Sequence, residues 1–365
     1  MKKYLIPIII YLVFIALYIG ISRSSHNDYL FLPIWDIRHY LDISEIGYQV
    51  YPCTPGVDGY AGQVCGNSGW FPMWPLTVKL IRPLLGGSSK TTFIGLVFLF
   101  TLLFFILLFR FMERYYGLKA AVITLSAIAF GPASFYLLTG FPYALLCLLL
   151  MIYLLLLYHP QTMAIRIGLF LIALAISLSY PTGILMALLP TVYFIGEVSD
   201  RKQSFRSPAN WINLAGYVVP FILGPLLLWL YFYLEYDDFF LQLHFQEKYH
   251  RTWAIPFWIM LKSLFKEPLV SPENLSILWF GLTFIIFFPF RLRRELWILG
   301  IVMYLFSLTT GTTMSIYRHY LIIIPIYMII GSSDRPLWLK TGYIILGLLI
   351  ALKVLFPLFM AYRLM

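Results

Sequence analysis

"TTFIGLVFLFTLLFFILLF", residues 91–109, runs for nineteen residues without a charge or a proline. At about 1.5 Å per residue a helix of that length reaches roughly 28 Å, close to the thickness of a bilayer's hydrocarbon core. A transmembrane β-strand would alternate apolar and polar residues over about ten positions, and this run does not alternate. It therefore reads as a membrane-spanning helix. Similar runs recur from Tyr4 to Lys353 in a chain of 365 residues that is 61% hydrophobic, only 12% charged and has a mean hydropathy of +0.83. Soluble domains are roughly 45–50% apolar and about 25% charged. The expected fold is an all-α, polytopic transmembrane helical bundle.

Eleven candidate spans follow: 4–22, 91–109, 118–138, 141–158, 164–179, 182–197, 211–234, 274–290, 295–309, 316–331 and 341–359. The net charge of +10 is not a nucleic-acid signature here, because Lys and Arg in short connectors set membrane topology. Fourteen of the 26 basic residues fall in connectors on one side, from Lys2 and Lys3 to Arg335 and Lys340. That side is expected to be cytoplasmic, with the N-terminus inside. The other side carries 11 of the 16 acidic residues. The N-terminal run is longer than a typical signal-peptide core and lacks an A-x-A-type cleavage site, so it is expected to be an uncleaved first span.

Two outer loops, about 23–90 and 235–273, are too long to be simple connectors. They contain aromatic, apolar pieces (69–85 and 253–265) suited to the membrane surface. No repeat or linker divides the chain, which reads as a single integral membrane domain over 1–365. Cys53 and Cys65 share the first outer loop, where a disulfide is favoured over a metal site; Cys147 lies in an apolar span as a core residue.

The spans are nearly free of carboxylates and histidines, which weighs against an ion-coupled transporter. The ionisable groups gather outside, most densely in "FLPIWDIRHYLDISEIGYQV" (31–50). If 35–48 is helical, Asp36, His39, Tyr40, Ile43 and Gly47 share one face, and Arg38, Asp42, Glu45 and Gln49 the other. The second face is an ordinary solvated one. The first pairs a carboxylate with an imidazole among Trp35, Tyr40 and Tyr48, open to two readings: an Asp at a helix N-cap, or a catalytic group.

"WDIRHYLDISEIGY" resembles the W-D-x-x-H-[FY]-L-x-I-[AS]-x-x-G-Y signature of PIG-V-type mannosyltransferases, members of the GT-C class of lipid-linked glycosyltransferases. Weaker matches follow in order: "WFPMWPLTVKLI" (70–81), "FGPASFYLLTGFPYALL" (130–146), "SLSYPTGILM" (177–186), "FLQLHFQEKYHRTWAIP" (240–256) and "SIYRHYLIIIPIY" (315–327). Tyr143 and Tyr180 stand where the family pattern has Glu and Arg. The resemblance implies inverting transfer of a hexose, most often mannose, from a polyprenyl-phosphate donor to a lipid, glycan or protein acceptor at the outer face. Asp36 would be the general base and His39 would orient it or contact substrate. Arg318, His319, His244, Gln246, Arg251, Tyr40 and Trp70 would contact substrate; Lys248 and His250 are further cations in the second loop. A monophosphate leaving group makes a metal dispensable, and no cofactor is expected. The short chain and "MKK" start point to a prokaryotic plasma membrane. Two other readings stay open: a lipid-linked-sugar flippase or transporter, and an acyl- or phospho-transferase using the same Asp and His.

Overall fold

The computed structural model describes residues 2–24, 36–57, 59–60, 62–200, 207–247, 249 and 253–361. It is 76% helical. In chain order the helices are α1 (Ile6–Ser24), α2 (Asp36–Ile46), α3 (Met73–Leu85), α4 (Ser89–Tyr116), α5 (Leu118–Ala129), α6 (Tyr143–Leu157), α7 (Met163–Ser177), α8 (Leu188–Asp200) and α9 (Pro208–Tyr236). They continue with α10 (Leu241–Glu247), α11 (Pro256–Lys266), α12 (Pro272–Ile286), α13 (Arg294–Phe306), α14 (Ile316–Leu321), α15 (Ile324–Ser332), α16 (Leu337–Ile350) and α17 (Phe356–Met360).

The departure from an all-α fold is a small antiparallel hairpin, β1 (Val50–Pro52) and β2 (Val64–Gly66), in the long segment between α2 and α3. Its register pairs Val50 with Gly66, Tyr51 with Cys65 and Pro52 with Val64. Cys53 and Cys65 are joined by a disulfide, and the Cys53 N–H bonds to the Gln63 carbonyl at 3.0 Å. Three-residue strands are too short to register in a hydropathy pattern.

Among the described residues, five helical stretches are long and apolar enough to cross a membrane: Ile6–Arg23, Ser89–Tyr116, Pro181–Asp200, Asn210–Tyr236 and Leu337–Met360. Helices α5, α6, α7 and α12 are apolar but shorter. This is an integral membrane protein whose apolar runs are more broken than the sequence suggests. The run 118–138 stops as α-helix at Ala129, turns through Gly131 and Pro132, and resumes as a 3₁₀ segment, Ser134–Leu138. The run 316–331 is two helices, α14 and α15, parted at Ile322 and Ile323. Buried backbone can leave the helix where hydrogen bonds are still met: Ile323 N–H reaches the Tyr320 carbonyl at 3.1 Å.

The chain forms two compact units whose segments interleave: 1–32, 97–151 and 252–365 make one, and 33–96 and 152–251 make the other. In the first, α5 packs on α15 and α12 on α14. Tyr18 and Ser134 hydroxyls meet at 2.9 Å beside a cluster of Phe135, Phe356 and Phe359. Charges that the sequence assigns to the inner face also close helices here. Arg335 donates to the carbonyls of Ile286 (2.8 Å) and Phe288 (2.6 Å). Buried Lys340 donates to those of Gly331 (3.0 Å) and Ser333 (2.6 Å). Carbonyls at a helix C-terminus have no intrahelical donor, and cations suit that end of the dipole.

In the second unit, α7 packs along α9, and α2 on α3. A core of Phe71, Leu228, Phe232 and Leu241 gathers Tyr48, Val50, Val64, Leu178 and Tyr236 around it. That core ties the hairpin to α9 and α10. Helix α3 buries Trp74, Pro75 and Val78 and leaves Leu76, Leu80 and Leu84 exposed at four-residue spacing. Such a stripe suits a membrane surface.

Candidate functional site

Helix α2 carries the residues the sequence singles out. Asp36 lies in its first turn, where a carboxylate complements the dipole. Gly47, expected to extend the Asp36 face, instead ends the helix. Its φ of +84° is left-handed, a conformation that favours glycine, and its N–H reaches the Ile43 carbonyl at 3.1 Å. The buried side of α2 is Ile37, Tyr40, Ile43 and Ser44. Tyr40 thus lies in the packed side of the helix, at 3% exposure, and not on an open face. On the solvated side, Arg38 and Asp42 approach to 4.0 Å with both side chains accessible.

His39 stacks on Trp70, with ring centroids 3.8 Å apart and planes 19° apart. Trp70 meets Phe245 of α10 edge-on at 5.3 Å, and Phe245 lies 5.8 Å from Tyr249. Gly69 makes this approach possible: a Cβ there would fall 2.5 Å from the Phe245 ring and 3.1 Å from Gln246 Nε2. Residues from α2, the turn before α3 and α10 are therefore assembled around Trp70.

Two polar clips hold that assembly. Buried Asn67 accepts from Gln49 N–H at 2.7 Å and donates to the Gly47 carbonyl at 3.4 Å. Its own N–H bonds to the Gln49 carbonyl at 3.0 Å. Tyr48 donates to the Trp70 carbonyl at 2.7 Å, and Tyr236 donates to the Tyr48 carbonyl at 2.8 Å. Burial first, then the neighbouring Tyr231 and Tyr236 phenols, push the Tyr48 hydroxyl's pKa well up, so it stays a neutral donor.

His244, exposed on α10, has its Nδ1 2.8 Å from Asp238 Oδ2, while Asp238 Oδ1 accepts from Phe240 N–H at 2.9 Å. A carboxylate at Nδ1 fixes the ring's orientation. Arg251, with Trp35, Lys248 and His250, lies outside the described residues.

Arg318 and His319 belong to the other unit, on α14. The Arg318 guanidinium carbon is 5.4 Å from the Phe141 ring centroid, within cation–π range. Phe141 stacks on Tyr143 at 5.2 Å and 5°, and Tyr136 stands edge-on to both. Sequence reasoning left Asn67, Asp238 and Phe141 out. The turn-forming run "GNSGW" (66–70) was the available signal for Asn67; the other two are joined to their partners only by the fold. Among the described residues, no group of three or more His, Cys, Asp or Glu is placed to hold a metal.

No protein-family model and no curated protein matches the chain. Among solved structures, the crystal structure of the Archaeoglobus fulgidus oligosaccharyltransferase, complexed with zinc and sulfate, aligns over 98% of this chain with a TM-score of 0.51. The chain shares its overall fold with the aligned part of that protein. Identity is 14%, and the match covers 53% of the archaeal chain, so this chain spans about half the length of that protein. A fold at that distance positions helices without fixing a reaction.

Proposed function

We propose that the protein is a glycosyltransferase of the GT-C class that moves a hexose, mannose by the motif around Asp36, from a polyprenyl-phosphate donor to an acceptor at the outer membrane face. The observation that carries this reading is α2: Asp36 and His39 in its first turn, His39 held on Trp70, in a chain with the fold of an oligosaccharyltransferase. The motif around Asp36 favours a PIG-V-type enzyme and hence mannose. Nucleotide sugars stay in the cytosol, so transfer on the outer face needs a donor borne by the membrane.

In the proposed step, the Asp36 carboxylate takes the proton of an acceptor hydroxyl. The acceptor oxygen forms a bond to the anomeric carbon as the bond from that carbon to the phosphate oxygen breaks. The configuration inverts, and the electron pair leaves with the polyprenyl phosphate. The phosphate's charge suits a planar guanidinium, the role that the motif around Arg318 assigns to that residue, while His39 orients Asp36 or a substrate hydroxyl. The exposed stripes on α3 and on α11 (Phe257, Trp258, Leu261, Phe265) rest at the bilayer surface.

The test is reconstitution in liposomes with radiolabelled polyprenyl-phosphoryl mannose and an extract of acceptor lipids. Label should pass to an acceptor. Movement of the donor across the bilayer without transfer would overturn the reading in favour of a flippase. EDTA should leave the transfer rate unchanged; loss of activity restored by a divalent cation would show that a metal carries the phosphate instead.

A further inference from the structure

The break in the apolar run 118–138 gathers aromatic rings. Where the chain leaves the helix after Ala129, the 3₁₀ segment Ser134–Leu138 and the bend that follows bring Tyr136, Phe141 and Tyr143 into one buried cluster. Phe141 and Tyr143 lie face to face, 5.2 Å apart and 5° from parallel, and Tyr136 stands edge-on to them at 5.4 and 6.1 Å. Helix α14 rests on this cluster through two successive residues. Tyr317 stacks on Tyr136 at 6.0 Å and 22°, and the Arg318 guanidinium carbon lies over the Phe141 ring at 5.4 Å. All five residues belong to the first unit. Phe141 is buried and Arg318 half-buried, so the cation has an aromatic face behind it and a side still open to a ligand.

We propose that Phe141 is a positioning residue, its ring face holding the Arg318 guanidinium ready for the phosphate of a prenyl-phosphate lipid. This inference rests on the phosphate role proposed for Arg318. An unheld arginine samples many rotamers, and ordering it during binding costs affinity. Two kinds of neighbour could order it beforehand. A carboxylate would do so by taking up N–H donors and balancing the charge. A ring face attracts the cation through its quadrupole and takes up none of the five N–H groups. That leaves the charge to an anion. The chain follows the second course at this point. Tyr143, standing where the resembling pattern has Glu, backs the Phe141 ring and brings no carboxylate.

Fluorine on a phenyl ring draws electron density from its face while nearly keeping its shape, so Phe141 is replaced by 4-fluoro- and by 3,4,5-trifluorophenylalanine. Calorimetry in detergent is run with a short-chain prenyl phosphate and with the prenyl alcohol of the same length. Affinity for the phosphate should fall stepwise with fluorination, reaching about two- to tenfold for the trifluoro form, the span for ordering one rotamer-rich side chain. The alcohol should bind alike in all three proteins. In Arg318→Ala protein the same fluorination should change nothing, because the partner is gone. Phosphate affinity that ignores fluorination would overturn the proposal. A loss shared by the alcohol, or one that persists in Arg318→Ala, would overturn it too and make Phe141 a packing residue. If Arg318→Ala binds the phosphate as wild type does, Arg318 is not a phosphate contact and the proposal falls with that role. Protein that shows the graded loss yet transfers no sugar keeps the Arg318–Phe141 pair and removes the glycosyltransferase.

Discussion

Asp36 and Asp42 share helix α2 and the same carboxylate chemistry, so substituting each in turn separates position from charge. Asparagine keeps the size of aspartate and still caps a helix. Asp36→Asn should therefore leave expression and melting temperature near wild type while lowering transfer by at least about 100-fold, the lower end of what a general base supplies. Donor-lipid binding should survive it, whereas Arg318→Ala, which removes the cation resting over Phe141, should weaken that binding. Asp42→Asn should do little, since its partner Arg38 lies 4.0 Å away on an exposed face and such pairs are worth about 0.3–0.5 kcal/mol. If Asp36→Asn keeps more than about a tenth of wild-type transfer, a factor too small for a lost base, Asp36 only opens the helix. Spacing made Asp36 and His39 visible in the sequence, because positions i and i+3 share a helix face. Tyr40 shares that face on paper, yet it is buried with Ile37 and Ile43; which neighbour covers a face is decided by residues distant in the chain.

At the scale of elements, α2 is held by a hairpin and a turn rather than by its own helical strength. Asn67 links the end of α2 to the residue entering β1. Asn67→Leu would leave the Gln49 N–H without its side-chain acceptor in a part-buried setting, at a cost of about 0.5–1.5 kcal/mol for such a bond. Thermal melting in detergent should fall accordingly; an unchanged melting temperature would mean the hairpin does not position α2. The Cys53–Cys65 bond closes the same hairpin. Alkylation of unreduced, denatured protein should label Cys147 alone, and labelling of all three cysteines would remove the bond. Hydropathy found the long helices, such as α4 and α9, because their apolar character is continuous. It ran through the break between α14 and α15 because Ile322 and Ile323 are as apolar as the helices they separate. It missed the hairpin because three-residue strands carry no usable period. Trp70 was legible as a motif residue, but its contacts with His39 and Phe245 join positions 31 and 175 residues away in the chain.

At the scale of the whole molecule, the fold and the distribution of charge make separate statements. The likeness to the archaeal oligosaccharyltransferase gives the helical frame, whereas the orientation is an expectation drawn from the basic connectors. Several of those cations are engaged in the fold as well: Arg335 and Lys340 close helices, and Arg293 pairs with buried Glu295 at 2.7 Å. Positive charge on one side thus serves packing as well as insertion, which makes substitution of Arg293 a poor topology probe. Exposed positions answer the question at less cost, since an exposed ion pair such as that of Arg291 with Asp334 contributes little to stability. Leu269 and Met314 are exposed in the region assigned to the outer face, and Arg114 and Arg291 are exposed in connectors assigned to the inner face. Native thiols give little background, because Cys147 is buried and the other two are bonded. Single cysteines at Leu269 or Met314 should react with a membrane-impermeant maleimide in intact cells, and ones at Arg114 or Arg291 should react only after the membrane is opened. The reverse pattern would turn the molecule over. Asp36 and its neighbours would then face the cytosol, where nucleotide sugars are available, and the need for a lipid-borne donor would vanish with the orientation.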